Sequence, residues 1–70
     1  MRFIITRHAR DQMHERGVEK EEVIRAIKRG SKFKQTEGLL AAYGYIRVAY
    51  CVKGDAIIVK TVMVERGETG

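Results

Sequence analysis

Leu39-Leu40-Ala41-Ala42-Tyr43-Gly44-Tyr45-Ile46-Arg47-Val48-Ala49-Tyr50-Cys51-Val52 and Ala56-Ile57-Ile58-Val59-Lys60-Thr61-Val62-Met63-Val64-Glu65 are two long runs joined by Lys53-Gly54-Asp55. Branched and aromatic side chains are frequent in both, as a pleated, half-buried surface requires. Gly54-Asp55 suits a two-residue type II′ turn, because glycine accepts the positive φ needed at the first turn position. That turn pairs Val52 with Ile57, Tyr50 with Val59, Val48 with Thr61 and Ile46 with Met63, a face that is apolar or aromatic except at Thr61. The opposite face then carries Tyr45, Arg47, Ala49 and Cys51 against Ile58, Lys60, Val62 and Val64. A turn at Lys53-Gly54 would instead slip the register by one and change which faces oppose each other.

Outward from the hairpin, Ser31 to Glu37 alternates weakly and Gly38 interrupts it. Before Gly30 the apolar period is helical. Val23, Ile24 and Ile27 form a stripe on a helix that opens at Glu19 and ends at Gly30. Glu21 and Glu22 sit at its positive end, and Glu21 pairs with Arg25 at i,i+4. Arg7 to Arg16 forms an earlier helix with Ala9, Met13 and Arg16 on one face, Thr6 as its N-cap and Gly17 as a left-handed C-cap. Arg2 to Thr6 reads as a short strand. The predicted order is β-α-α-β-β-β over residues 1–70: one α+β domain with two N-terminal helices on an antiparallel sheet.

Seventy residues leave room for one small core. One cysteine excludes an internal disulfide, and with two histidines it falls short of a four-ligand zinc site. No metal or other cofactor is expected. The apolar runs are too short to span a membrane, and the N-terminus lacks a signal-peptide core, so the chain reads as cytoplasmic with no membrane partner. The net charge is +5. Residues 1–34 hold ten basic and five acidic side chains, whereas residues 35–70 hold four of each, so all of the excess lies in the N-terminal half. A one-sided basic excess fits a polyanion partner, and equally a charged, solubilising surface.

No P-loop, paired-cysteine motif or nucleophile elbow is present. His8 lies between Arg7 and Arg10 in a helical first turn and is the side chain suited to moving a proton near neutral pH; its ordinary role is a helix-start hydrogen bond. Arg16, on an apolar face, is either paired with a carboxylate or carbonyls or held for a phosphate. Tyr43, Tyr45 and Arg47 alternate onto one sheet face with Lys60 diagonal to Arg47, a combination that stacks bases and binds phosphates as well as one common on solvated sheets. Thr61 either satisfies a backbone group or orients His8. Arg25, Lys28, Arg29, Lys32 and Lys34 cluster at the end of the second helix, where they contact RNA or complement the dipole. Cys51 reads as a small strand hydrophobe. The face bearing Ile58, Val62 and Val64 calls for a cover, either a second copy in a homodimer or an inhibitor chain.

The string His8-Ala9-Arg10-Asp11-Gln12-Met13-His14-Glu15-Arg16-Gly17-Val18-Glu19-Lys20-Glu21-Glu22-Val23 resembles the opening of a small prokaryotic family of unknown function, and Ile58-Val59-Lys60-Thr61-Val62 resembles its terminal strand. Lys60 within that strand and Glu19 in place of a Ser or Thr cap depart from the pattern. The family is similar to the RelE-like ribonuclease toxins of toxin–antitoxin systems, which share a fold with barnase and colicin nucleases. The resemblance implies helices on a curved antiparallel sheet and metal-independent RNA cleavage through the ribose 2′-hydroxyl. It also implies an RNA substrate, free or on the ribosome, and an antitoxin partner. His8, Arg16 and Thr61 match its signature, and Arg47 and Lys60 join them from the sheet geometry. Arg7, Arg10, Arg25, Lys28, Arg29, Tyr43 and Tyr45 are the expected RNA-binding residues. The alternative is a non-catalytic RNA- or protein-binding module of the same fold, and a third reading is a homo-oligomer whose basic surface serves solubility.

Overall fold

The computed structural model describes residues 1–65, so residues 66–70 of the expected domain lie outside the described residues. The elements are β1 (Arg2–Ile5), α1 (Arg7–Arg16), α2 (Lys20–Arg29), β2 (Ser31–Gln35), β3 (Gly38–Tyr43), β4 (Ile46–Lys53) and β5 (Ala56–Val64). The strands form one sheet in the order β1-β5-β4-β3-β2. The α+β class and the two N-terminal helices are as expected. The sheet differs in two respects: it has five strands, and it is mixed, because β1 runs parallel to β5. After the helices the chain returns at the far edge with β2 and meanders back strand by strand, which delivers β5 beside β1 in the parallel direction.

The local rules account for most boundaries. The Thr6 hydroxyl accepts from the Ala9 N–H at 3.2 Å and caps α1. Gly17 closes the helix at φ 67°, and the Val18 N–H reaches back to the Met13 carbonyl at 2.9 Å. Glu19 stands before α2, and its N–H donates to the Glu22 carboxylate at 2.9 Å, the half of a capping box that the third helical residue supplies, while the Glu22 N–H donates to the Glu19 backbone carbonyl at 3.0 Å. Gly30 is needed for a different reason. A Cβ there would run into the carbonyl oxygens of Ala26 and Ala42, so only glycine lets α2 turn directly into β2.

The run expected to continue from Leu39 to Val52 is two strands. Gly44, at φ 60°, and Tyr45 form a two-residue turn that pairs Tyr43 with Ile46. The Gly54-Asp55 turn is as expected: Lys53 pairs with Ala56, and the only positive φ belongs to Gly54.

The β4–β5 register follows the expectation from the turn as far as Tyr50↔Val59 and then departs from it. Ala49 pairs with Thr61, leaving Lys60 as an extra, bulged residue on β5. The bulge reverses the facing of everything beyond it. Val62 comes opposite Val48 and is fully buried, Val64 packs beside the core, and Thr61 and Met63 turn to the other face. The expected apolar outer patch of Ile58, Val62 and Val64 therefore loses both valines to the helix side.

α1 lies against β5, and α2 against β3 and β4. Between helices and sheet, Ala9, Met13, Val18, Val23, Ala26, Ile27, Ala41, Val48, Tyr50, Ile57, Val59 and Val62 form one hydrophobic cluster. Val23, Val48, Val59 and Val62 are the largest of its fully enclosed members, each contributing about 1.5–3 kcal/mol by burial.

Candidate nucleic-acid interface

Three shallow hollows adjoin at the α1–α2 corner of the molecule. The first, of about 570 Å³, is lined by Glu21, Ile24, Arg25, Lys28, Arg29 and Tyr43. The second, of about 590 Å³, shares Tyr43 with it and adds Arg16, Glu22, Tyr45, Ile46 and Val64 around the two glycine turns. The third shares Arg16 and Val64 with the second and adds Leu40, Arg47, Met63 and Glu65. Tyr43 and Arg16 thus link three hollows into one strip with five cations, two exposed tyrosines and three carboxylates.

Each part is placed by a local cause. The tight Gly44-Tyr45 turn leaves Tyr43 at the end of β3 and Tyr45 in the reversal itself, so they do not alternate along one strand as expected. Arg47 holds that turn from inside. Its guanidinium donates to the carbonyls of Gly44 at 2.9 Å and Ile46 at 3.2 Å and meets the Glu65 carboxylate at 3.2 Å. The Glu65 N–H in turn donates to the Tyr45 carbonyl at 2.7 Å. Arg16, expected on the apolar face, ends α1 with its side chain 38% exposed and pairs with Glu15 at 3.7 Å, a weak surface contact that leaves its charge available.

Seven of the twelve expected site residues lie on this strip: Arg16, Arg25, Lys28, Arg29, Tyr43, Tyr45 and Arg47. The remaining five do not. Arg7, His8 and Arg10 are exposed around the start of α1. His8 and Arg16 are eight residues apart, about 12 Å along the helix axis. Lys60 and Thr61 line a separate hollow with Gln35, Glu37, Gly38, Leu39, Ala49 and Tyr50, where Lys60 Nζ donates to the Glu37 carbonyl at 3.5 Å. Leu39 and Tyr43 stand four residues apart on β3, about 13 Å along the strand. No hydrogen bond joins Thr61 to His8 among the described residues, because the bulge turns Thr61 away from the helix face. The five residues expected to act together thus occupy three separate places.

Gln12 and Glu65 take their roles from tertiary contact alone. Gln12 bonds the Val62 backbone, and nothing local marks it. Glu65 binds both Tyr45 and Arg47 from the far end of the chain. The second turn had a readable signal: Gly44-Tyr45 interrupts a β-rich run just as Gly54-Asp55 does.

Burial pushes the phenol of Tyr50 above its usual range, and Tyr50 is 4% exposed beneath the helices. Among the described residues no group of three or more His, Cys, Asp or Glu side chains is placed to hold a metal ion, and no helix is long and apolar enough to cross a membrane. Cys51 is a free, half-buried thiol on β4.

Neither the curated proteins nor the solved structures contain a match to this chain. A family match does cover both helices, four complete strands and every residue of the three-hollow strip except Glu65. It runs over residues 5–64, and on that match the chain belongs to the family described as a domain of unknown function (DUF4258).

Proposed function

We propose that this domain is a small RNA-binding module that holds a single strand along the strip linked by Tyr43 and Arg16. One observation carries the reading: seven of the residues singled out for RNA chemistry fall on three adjoining hollows, with cations flanking exposed aromatic rings. Arginine and lysine meet phosphates, and tyrosine faces stack bases of any sequence. The carboxylates of Glu21, Glu22 and Glu65 along the same strip disfavour close, nonselective phosphate packing and space the contacts.

The test is fluorescence anisotropy of a labelled single-stranded RNA titrated with the protein at two salt concentrations. Binding should weaken steeply with salt, and replacing Arg25, Lys28 and Arg29 together by alanine should reduce the logarithmic salt slope by about 2. Tyr43→Ala should cost about 1–3 kcal/mol of binding. Absence of binding at low salt, or a triple variant that binds like the parent, would overturn the assignment.

A second reading, a RelE-like toxin-type endoribonuclease, is favoured by the hollow that Arg16 and Arg47 line together. Two guanidiniums there would stabilise the charge that develops as a 2′-hydroxyl attacks phosphorus. The same RNA incubated with the protein in EDTA separates the two. Ends carrying 2′,3′-cyclic phosphate, lost in Arg16→Ala and Arg47→Ala, establish cleavage; loss in His8→Ala would place His8 in that chemistry as well. Intact RNA in the bound complex leaves a binding module.

A further inference from the structure

β2 is one of the two edge strands of the sheet, β1 being the other. β2 pairs with β3 on one side only, and all five of its residues are exposed. Such an edge presents a row of unpaired backbone N–H and C=O groups that another strand can use. Its two faces differ in chemistry. Lys32 pairs with Ala41 and Lys34 with Leu39, so both lysines leave the strand toward the helix side. Phe33 pairs with Leu40 and leaves toward the open face of the sheet, where it is 53% exposed. Between Glu22 and Glu37 the chain carries Arg25, Lys28, Arg29, Lys32 and Lys34 and no acid. None of these five forms an ion pair among the described residues.

We propose that the β2 edge is a docking site for an extended acidic segment of a partner protein, which adds to the sheet as a sixth strand. The side-chain pattern sets the occupant. A strand laid beside β2 places alternate residues against Lys32 and Lys34, where carboxylates are favoured, and the residue between them beside Phe33, where an apolar side chain is favoured. A second copy of this chain is a poor occupant, because pairing two β2 edges sets lysine against lysine. RNA has the right charge but no row of amide groups to complete the ladder, and Phe33 stands on the face opposite Lys32 and Lys34, so a phosphate backbone held by the lysines does not bring a base onto its ring. The partner is therefore an alternating acidic and apolar β-strand, and the site is independent of the RNA strip, which uses none of Lys32, Phe33 and Lys34.

The test uses the whole isotope-labelled chain and a heptapeptide alternating glutamate and valine, followed by amide chemical shifts and hydrogen exchange. Shifts and slowed exchange centred on Ser31–Gln35 are expected, weakening by about tenfold in Lys32→Glu/Lys34→Glu. The reversed-charge variant should instead take the matching lysine–valine peptide, which shows that it remains folded. Phe33→Ser should weaken binding of the glutamate peptide without changing its charge preference. The proposal fails if the glutamate peptide leaves β2 unshifted, if the parent protein binds both peptides equally, or if RNA rather than peptide protects the β2 amides.

Discussion

The side-chain oxygen of Gln12 accepts a hydrogen bond from the backbone N–H of Val62 at 2.9 Å, joining α1 to β5 across fifty positions of sequence. β1 pairs with β5 only as far as Val59, so beyond that point this side of β5 has no strand neighbour. Gln12 supplies the acceptor that a longer β1 would have supplied, at the place where Val62 enters the core.

Gln12→Leu should therefore destabilise the fold even though it adds apolar surface next to the core. The Val62 N–H would be left half-buried without a partner, at a cost of about 1–3 kcal/mol. Urea denaturation should show a lower midpoint, with the Val62 amide the most accelerated in hydrogen exchange. An unchanged midpoint would mean that water replaces the glutamine at no cost.

Lys60 should be removable. It is the residue without a partner between Tyr50↔Val59 and Ala49↔Thr61, so deleting it leaves Val62 opposite Val48 and regularises the strand. The deletion variant should fold, with stability within about 1–3 kcal/mol of the parent. Its amide exchange should still protect Val48 and Val62. Failure to fold would show that the bend made by the bulge, and not merely the pairing it permits, holds β5 against α1.

Gly30→Ala should be the most damaging glycine substitution among the helix-terminal positions. The added methyl meets the carbonyl oxygens of Ala26 and Ala42, and neither backbone atom can yield without moving α2 or β3. A cost of about 1–3 kcal/mol is expected. In a domain of this size each kcal/mol lowers Tm by about 4–8 °C. Gly17→Ala, where a Cβ meets nothing but φ is 67°, should cost about 1–2 kcal/mol from conformation alone.

Tyr50 should make stability fall at alkaline pH. Its phenol is held protonated by burial, so the folded-state value lies above the unfolded value near 10. Below pH 10 both states keep the proton and the contribution is fully present. As pH rises through and beyond 10 the unfolded chain releases the proton first, and stability is lost until the folded-state value is passed. Tyr50→Phe should flatten this part of the stability curve, measured as urea midpoints between pH 8 and about 11.5. An identical pH dependence in the variant would assign the loss to other groups.

Much of this architecture is legible locally. Thr6, Gly17 and Gly30 mark the helix limits, the stripe of Val23 and Ile27 sets the buried side of α2, and Gly54-Asp55 sets the turn and the first pairs of the last hairpin. Each depends on interactions within a few residues or on a two-residue repeat. Even the bulge left a mark, since two polar residues, Lys60 and Thr61, stand between the buried valines 59 and 62 where strict alternation allows one.

Local backbone preference and composition are enough for the α+β class, for a first strand followed by two helices and then strands, and for the basic character of the first half, but they leave the run from Leu39 to Val52 undivided where the fold has two strands. Long-range packing alone sets β1 parallel beside β5, turns Val62 and not Thr61 to the core, and brings Arg16 and Arg47 to one hollow while His8 and Lys60 lie elsewhere. Those outcomes depend on strand order and on one extra residue in a ladder. A single unpaired position reverses the facing of every side chain after it, and a crossover of two helices sets which strand ends meet. The crossover is not encoded in the spacing of neighbouring residues, and the Lys60-Thr61 pair that marks the bulge does not by itself say which residue of β4 each faces.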